Sequence, residues 1–340
     1  MDNKIAFCGV LCLLSAFVAQ SLPTESSLNW KNPVSSAVHT LNNFMANGIF
    51  SEQYDDTVLF YLYTDSTVNN THQLWAGNVT ALKSSDFNAS KSKTLVLTHG
   101  FWDEVNSAFD NNFKNALLKY DDVNVIAVDW SYFTKNVNYL RVVSETKNVG
   151  SFIGQFVDFL IDQTGLSPDQ VHLIGHSIGA HASGFAAKYL KGRGRTVARV
   201  SGLDPAWPGF YTAGTDERLS STDAKFVDCV HTCGGGLGFP SPICQADFYP
   251  NGGKNVQPGC SWVDFGVCSH GRSFDYYAES IDPTHLFVAQ TCNSVVEGVP
   301  YNCRNDGALM GYPASPEFLG VFYLTTRSSS PFAKNITSPE

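Results

Sequence analysis

Short runs of β-branched and apolar residues alternate with longer stretches in which apolar residues recur at helical spacing. We predict strands over residues 57–63, 94–98, 123–128, 171–175, 197–203 and 225–231. We predict helices over residues 106–119, 142–161 and 178–190. Strands that alternate with helices favour a mostly parallel sheet covered on both faces, so we expect an α/β fold. The stretch 229–268 is rich in glycine and proline and predicts a long loop region.

Residues 1–21 have the pattern of a secretory signal peptide. A positive start is followed by about fifteen mostly apolar residues, and Ala19 and Ser21 are spaced as a signal peptidase prefers. The apolar run is too short for a membrane span, and no later stretch is long enough. We therefore predict a secreted chain without a transmembrane segment, with one domain over 22–327 and a polar tail over 328–340.

Composition narrows the function classes. The chain has 340 residues and a formal net charge of −9, and this acidic balance argues against a nucleic-acid partner. Hydrophobic residues make up 43% of the chain, which is enough for a sizeable core. Sequons for N-glycosylation stand at Asn69, Asn78, Asn88 and Asn335. They predict an exposed, glycosylated surface, in agreement with secretion.

A serine nucleophile is predicted by the segment 175–179. Its sequence, GHSIG, matches the G-x-S-x-G pattern of a nucleophile elbow. An apolar strand (VHLI) precedes it and a helix rich in small residues follows, which is the strand–turn–helix context that the motif requires. The two glycines allow a sharp turn that exposes the Ser177 hydroxyl at the carboxyl edge of the sheet. The motif therefore predicts the α/β-hydrolase fold.

The serine needs a base and an orienting acid, which follow it in this fold in the order acid, then histidine. Asp204 lies in Gly-Leu-Asp-Pro-Ala at the end of a predicted strand and is the candidate acid. Among the later histidines, His270 stands at the entry to a helix beyond the last major strand, where the base belongs. His231 ends a strand and suits the core, and His285 suits a turn. We predict a triad of Ser177, Asp204 and His270.

The oxyanion of the reaction intermediate needs two backbone donors. One is the N–H of Ile178, which follows the nucleophile. The second should come from a loop after an earlier strand, and the N–H of Phe101 in the His-Gly-Phe segment has that position.

Together these segments resemble the animal pancreatic lipase family. The matching motifs occur in order over about residues 50–326: HGF at 99–101, VDW at 128–130, GHSIGAH at 175–181, LDPA at 203–206, HT at 231–232, FYPNGG at 248–253 and CSH at 268–270. The resemblance implies the same triad and the same oxyanion donors. It implies neither a cofactor nor a metal.

Departures from the family pattern concern the loops that cover the substrate. The family's lid is a loop closed by a disulfide just before the catalytic histidine, which here would be Cys260–Cys268 with seven residues between. The second covering loop, 234–243, is also short. The family's C-terminal β-sandwich is missing, so we expect no colipase. In these respects the chain resembles the insect and wasp-venom branch that includes phospholipases A1.

Aromatic and apolar residues of the same loops are predicted to ring the substrate mouth. They are Trp102, Trp207, Leu237, Phe239, Trp262 and Phe265. Each of them could instead pack in the core. Trp262 and Phe265 are the strongest candidates, because a short disulfide loop has little core of its own.

Seven cysteines follow residue 228, and an oxidising compartment makes them disulfide candidates. The family pattern implies Cys260–Cys268 and Cys292–Cys303. The other three compete for one bond. We favour Cys233–Cys244 with Cys229 left over, and Cys229–Cys244 is the alternative. A zinc site of His231 with Cys229 and Cys233 would be a poor tetrahedral set.

We therefore expect a secreted serine esterase acting on lipid esters at a lipid–water interface. The first candidate is a phospholipase A1 that cleaves the sn-1 acyl ester, and the alternative is a neutral-lipid lipase. A non-catalytic lipid binder resembling yolk proteins would lose the nucleophile, which is present here. A peptidase is disfavoured by the hydrophobic mouth.

Overall fold

A computed structural model describes residues 54–64 and 71–334 of the chain. The strands are β1 Leu59–Tyr63, β2 His72–Leu74, β3 Lys93–Thr98, β4 Val123–Asp129, β5 Val171–His176, β6 Arg199–Leu203, β7 Phe226–Val230, β8 Ala246–Pro250, β9 Phe287–Cys292, β10 Ser294–Val296, β11 Val299–Tyr301, β12 Arg304–Met310 and β13 Gly320–Leu324. The α-helices are α1 Val79–Ser84, α2 Ala108–Tyr120, α3 Ser131–Thr134, α4 Tyr139–Thr164, α5 Ile178–Gly192 and α6 Val267–Glu279. The predicted signal peptide, Asn69 and Asn335 lie outside the described residues.

Eleven of these strands form one mixed sheet in the order β12-β9-β13-β8-β7-β6-β5-β3-β4-β1-β2. The neighbours from β13 through to β4 all run parallel. The strands outside them pair antiparallel, β1 and β2 at one edge and β9 and β12 at the other. This is an α/β-hydrolase fold, and the predicted fold class is confirmed.

Helices cover both faces of the sheet. Helices α4 and α5 pack on one face around residues such as Phe152 and Phe156. Helices α2 and α6 pack on the other around Phe113 and Tyr277. Because strands β3 to β7 are covered on both sides, nearly all their residues are buried, which explains the continuous apolar runs in the sequence. None of the described helices is both long and apolar enough to cross a bilayer.

The predicted long loop region 229–268 contains a strand that the sequence analysis missed. Strand β8 is only five residues long and ends at Pro250, so its periodicity was too short to stand out among glycines and prolines. It pairs with β7 and thereby extends the parallel part of the sheet. Strand β8 divides the region into two shorter loops at the carboxyl ends of β7 and β8, next to the ends of β5 and β6.

Candidate active site

Ser177 lies on a strained turn between β5 and α5. Its backbone angles, φ 56° and ψ −124°, are unusual for a residue with a side chain. A Cβ added to Gly175 would lie 2.2 Å from the Gly179 oxygen, and one added to Gly179 would lie 2.3 Å from the Thr98 oxygen. Both flanking positions therefore require glycine. The Ser177 N–H donates to the Leu203 carbonyl at the end of β6 over 2.9 Å, which joins the turn to the next strand.

Asp204 follows β6 directly, and its carboxylate is fully buried. Its Oδ1 accepts the backbone N–H groups of Thr232 at 2.8 Å and Cys233 at 3.1 Å. Gly238 packs against the same carboxylate so closely that a Cβ there would lie 2.2 Å from Oδ1. The loop after β7 thus fixes the acid in one orientation and leaves Oδ2 for another donor.

His270 supplies that donor. It lies in the first turn of α6, with its Nδ1 2.5 Å from Asp204 Oδ2. The ring of His176, the residue before Ser177, lies 4.5 Å from the His270 ring, and its Nε2 is 3.3 Å from the His270 carbonyl oxygen. Burial holds the pKa of His176 well below its ordinary value, and the nearby His270 lowers it further. The His176 ring is therefore neutral and acts as a donor. The structure therefore brings acid and histidine into contact beside the elbow.

The Ser177 hydroxyl has no hydrogen-bond partner among the described residues. Ser177 and His270 both keep a small exposed fraction, 7% and 9% respectively. A long nucleophile–base distance is common without substrate and shortens when substrate binds. A slightly exposed serine therefore follows directly on His176, whose ring lies next to that of His270, and His270 is held by a buried carboxylate.

The candidate oxyanion donors flank the elbow. Ile178 is the first residue of α5, where backbone N–H groups have no partner within the helix. Phe101 lies in the loop after β3, and its ring packs edge-on against Tyr139 with centroids 5.1 Å apart. Gly100 reaches the elbow, since a Cβ there would lie 3.1 Å from the Ser177 Cβ. Loop and helix end thus meet at the nucleophile.

The other candidate histidines have different surroundings. His231 is buried, with Nδ1 2.9 Å from the Phe239 carbonyl oxygen and Nε2 2.8 Å from Asp247. Its ring stacks on Tyr249. His285 lies in a turn in which its N–H donates to the Asp282 carbonyl. Neither is hydrogen-bonded to Asp204 or to the elbow.

A second group of serine, histidine and aspartate was not found in the sequence analysis. His172 Nε2 lies 2.9 Å from Ser201 Oγ, which donates to Asp228 Oδ1 at 2.7 Å. Asp228 also forms a two-pronged pair with the Arg199 guanidinium. All three members of this core group are buried in β5, β6 and β7. The sequence signal was present as isolated polar residues within otherwise apolar strands.

The predicted mouth residues divide into exposed and buried sets. Trp262 is 77% exposed and Phe265 49%, and both lie in the loop before α6. Trp102 and Trp207 are half-buried. Phe239 is buried and packs edge-on against His181, so most of its surface faces the core. The loop 234–243 folds inward because its backbone closes over Asp204 and His231.

Leu237 is also almost buried. Its carbonyl accepts the Trp207 N–H at 2.9 Å, which ties the loop after β7 to the loop after β6. The places of Leu237 and Phe239 in the substrate mouth stay predictions.

Three disulfides join Cys229 to Cys244, Cys260 to Cys268 and Cys292 to Cys303. The favoured pairing of Cys233 with Cys244 is therefore wrong, and the alternative with Cys229 is correct. Cys229 lies on β7 opposite Asp247 of β8, so Cys244, just before β8, comes within 5.8 Å of it between Cα atoms. Cys233 lies beyond the strand and keeps a buried thiol outside the three disulfides.

The zinc alternative fails on the same contacts. Cys229 is committed to a disulfide, and His231 uses both ring nitrogens in hydrogen bonds. Among the described residues, the candidate metal-ligand cluster is Cys229, Cys244 and Asp247, whose two sulfurs are bonded to each other. A disulfide sulfur is not a thiolate, so this cluster does not form a metal site.

Two of the four predicted glycosylation sites are described, and both are exposed. Asn78 Oδ1 accepts the Ala81 N–H at the start of α1, and Asn88 Oδ1 accepts the Ser90 N–H. Both contacts use the oxygen and leave the amide nitrogen, the atom to which a glycan is attached.

Comparisons with known proteins identify the family of the chain. The family model described as Lipase matches residues 31–332. Pancreatic triacylglycerol lipase of Homo sapiens is 35% identical over 314 residues, covering 82% of this chain and 66% of that protein. The Sus scrofa protein of the same name is 36% identical over 310 residues, covering 81% and 67%. The chain thus spans about two thirds of the length of these relatives.

Among solved structures, Aspergillus fumigatus lipase B is similar over 48% of this chain and 44% of its own, with 11% identity and a TM-score of 0.34.

Proposed function

The chain belongs to the lipase family, and from this premise we propose that it hydrolyses carboxylic esters of lipids with Ser177 as nucleophile, His270 as base and Asp204 as orienting acid. The observation that carries the proposal is the 2.5 Å contact between Asp204 and His270 beside the strained turn of Ser177. The buried carboxylate holds the proton on His270 Nδ1, which leaves Nε2 as the acceptor for the serine proton.

The reaction proceeds by acyl transfer. Ser177 Oγ attacks the ester carbonyl carbon while its proton passes to His270 Nε2. The negative charge on the carbonyl oxygen is stabilised by the N–H groups of Phe101 and Ile178. His270 then gives the proton to the leaving alcohol, and an acyl-enzyme remains. Water repeats the sequence and releases the fatty acid.

Contact with a lipid surface is supported by the loop between Cys260 and Cys268. Trp262, Val263 and Phe265 expose 77%, 53% and 49% of their surface within four consecutive positions. Exposed apolar residues clustered next to a site favour an apolar partner. The loop leads directly into α6, which carries His270, so a lipid surface that contacts the loop comes close to the site.

We infer that the substrate is a phospholipid cleaved at the sn-1 ester, and that the chain belongs with the insect phospholipase A1 branch. Both covering loops are short: seven residues separate the cysteines 260 and 268, and the loop 234–243 folds inward. A long apolar lid suits a site that opens only on oil, whereas a short one leaves room for a polar head group. The rival is a neutral-lipid lipase, which the similarity to proteins named pancreatic triacylglycerol lipase favours.

A comparison of initial rates separates these two substrates. Phosphatidylcholine vesicles and triolein emulsions are tested at equal accessible lipid, with Ser177→Ala as the blank. We expect the phospholipid to react at least tenfold faster and to release the sn-1 fatty acid. Faster hydrolysis of triolein would identify a neutral-lipid lipase. Absence of turnover on both, with no labelling of Ser177 by a fluorophosphonate, would favour a lipid binder.

The role of the exposed loop is tested with Trp262→Ser. We expect at least a tenfold lower rate on vesicles and an unchanged rate on a water-soluble ester. The matched control is Leu319→Ser. Leu319 is also exposed, but it precedes β13 and so lies at the amino ends of the parallel strands, whereas Ser177 lies at their carboxyl ends. Equal losses in both variants would contradict lipid contact through this loop.

We also propose that the protein is secreted. Three disulfides suit an oxidising environment, and we place the protein outside the cell with glycans on Asn78 and Asn88. A glycosidase that removes N-linked chains should lower the mass of the secreted protein. Replacing either asparagine with glutamine should remove one glycan.

A further inference from the structure

The loop after β3 contains a buried histidine that the proposed reaction does not use. His99 is fully buried, and its Nδ1 lies 3.0 Å from the carbonyl oxygen of the next residue, Gly100. Its Nε2 accepts the backbone N–H of Trp130 at 3.3 Å, and the Trp130 indole N–H donates back to the His99 carbonyl at 3.0 Å. Histidine and tryptophan thus connect the ends of β3 and β4.

These contacts determine where the His99 proton lies. An N–H donor at Trp130 requires a bare Nε2, so the single proton of the neutral ring is on Nδ1. Burial lowers the pKa of His99, but Asp129, whose Oδ1 lies 3.6 Å from Nε2 and also accepts the Ser131 N–H at 2.9 Å, outweighs it together with other nearby carboxylates, so the pKa of His99 is raised. The protonated ring carries a proton on Nδ1 as well as on Nε2. The Nδ1 proton therefore points at the Gly100 carbonyl oxygen.

The Gly100 carbonyl belongs to the same peptide unit as the Phe101 N–H. A trans peptide is planar, so its carbonyl and its N–H point in opposite directions, and fixing one fixes the other. Gly100 also touches the elbow, since a Cβ there would lie 3.0 Å from His176 Nδ1 and 3.1 Å from Ser177 Cβ. The peptide that His99 holds therefore begins at a residue that touches the turn of the nucleophile.

The rest of the loop is anchored to the segment after β4. The Trp102 N–H donates to the Thr134 carbonyl at 3.1 Å, and the Thr134 hydroxyl donates to the Asp103 carbonyl at 3.0 Å. These bonds hold the loop in place but do not touch the Gly100–Phe101 peptide. Rotation of that peptide is opposed by the His99 hydrogen bond.

We propose that His99 is a positioning residue for the oxyanion hole: as the Nδ1–H tautomer it locks the Gly100–Phe101 peptide so that the Phe101 N–H faces the developing oxyanion. The proposal rests on the acyl-transfer function proposed above. Without the lock the peptide can rotate, and its carbonyl oxygen would then repel the oxyanion. The loss would fall on the transition state and leave substrate binding nearly unchanged.

Two amide substitutions divide the roles of the two ring nitrogens. The side-chain nitrogen of His99→Asn occupies nearly the place of Nδ1 and can still donate to Gly100. The amide of His99→Gln reaches the place of Nε2 instead. With a soluble p-nitrophenyl ester we expect His99→Gln to lower kcat about 10²–10³-fold, the loss typical of one oxyanion donor, with KM within about threefold. His99→Asn should stay within about tenfold of the parent.

A second readout distinguishes the oxyanion hole from general damage. The oxygen ester is compared with its thionoester, whose larger sulfur fits an oxyanion hole poorly. The rate ratio of oxygen ester to thionoester should fall at least tenfold in His99→Gln and hold in His99→Asn. An unchanged ratio in His99→Gln, or equal losses in both variants, would overturn the proposal. Failure of the proposed function looks different, because the parent would then lack Ser177-dependent turnover.

If His99→Gln does not fold, the parent protein still provides a test. Nitrogen NMR of histidine-labelled protein reports which ring nitrogen carries the proton. We expect a proton on Nδ1 of His99 in both the neutral and the protonated ring, with Nε2 bare in the neutral ring. A proton on Nε2 alone would leave the Gly100 carbonyl without its donor and would refute the proposed role.

Discussion

Two groups of serine, histidine and aspartate lie within one sheet, and they differ in which side chains are hydrogen-bonded to each other. At the carboxyl edge, Asp204 contacts His270 beside Ser177. In the core group, Asp228 contacts the serine instead of the histidine. The carboxylate is an acceptor only, so the Ser201 proton goes to it, and the serine lone pair then accepts from His172.

This difference in connectivity determines the chemistry. A nucleophilic serine must give its proton to a histidine, and the core histidine already donates in that direction. Burial holds the pKa of His172 well below its ordinary value, and the charge of Arg199 lowers it further. The His172 ring is therefore also a poor proton acceptor. In the core group the carboxylate takes the serine proton, whereas at the sheet edge the carboxylate contacts the histidine, which is the contact that acyl transfer needs.

The largest expected contrast is between the two serines. Ser177→Ala should lower kcat by on the order of 10⁶-fold, because triad members act as a unit. Ser201→Ala should leave kcat within about threefold for correctly folded protein. Turnover on a soluble ester, normalised to the concentration of folded enzyme, measures both. Loss of activity in Ser201→Ala together with retention in Ser177→Ala would exchange the roles of the two groups.

The acids should separate activity from stability. Asp204→Asn removes the acceptor that fixes the His270 tautomer and should lower kcat about 10⁴-fold. Asp228→Asn leaves the Arg199 guanidinium without its charged partner and should lower the free energy of unfolding by about 3 kcal/mol. Denaturant unfolding and kcat per folded molecule are measured on both. Equal kinetic losses would mean that both carboxylates serve the reaction.

The orientation of the acid can be disturbed without removing it. A methyl group at Gly238 would lie 2.2 Å from Asp204 Oδ1 and must displace the carboxylate. Gly238→Ala should lower kcat about 10²-fold, the effect of a displacement of about 1 Å. The control is Gly214→Ala, where nothing lies within 4 Å of the added Cβ. Full activity of Gly238→Ala would show that the close packing of Gly238 against the Asp204 carboxylate is not needed for catalysis.

Much of this arrangement could be predicted because the informative residues are close in sequence. The elbow needs only a strand, five residues and a helix, and all three stand next to each other around Ser177. The buried strands are recognisable because coverage on both faces makes them apolar throughout. The strand β8 was missed because five residues that end in Pro250 carry too little periodicity.

Features that depend on register could not be predicted. The pairing of Cys229 with Cys244 depends on which residues of β7 and β8 lie opposite each other. The core group likewise requires Ser201 to lie opposite Asp228, an alignment that two strands reveal only when paired. The inward fold of Phe239 depends on the carbonyl contact with His231. Each feature joins residues whose proximity the tertiary structure creates.

The smallest expected effect tests the protonation of the core histidine. Native His172 stays neutral because its pKa is depressed, whereas an unfolded histidine takes up a proton below about pH 6.5. The unfolded state then binds more protons, so stability is lost as the pH falls through this window. His172→Gln, which keeps a donor toward Ser201, lacks this penalty.

Denaturant unfolding between about pH 6 and pH 5 measures the difference. The parent should lose about 1 kcal/mol more per pH unit than His172→Gln, since one neutral histidine contributes at most about 1.4 kcal/mol per unit. His176 and His181 have depressed pKa values as well and steepen both curves equally. Identical slopes would mean that native His172 is protonated in this window, and the proposed direction of its hydrogen bond to Ser201 would lose its support.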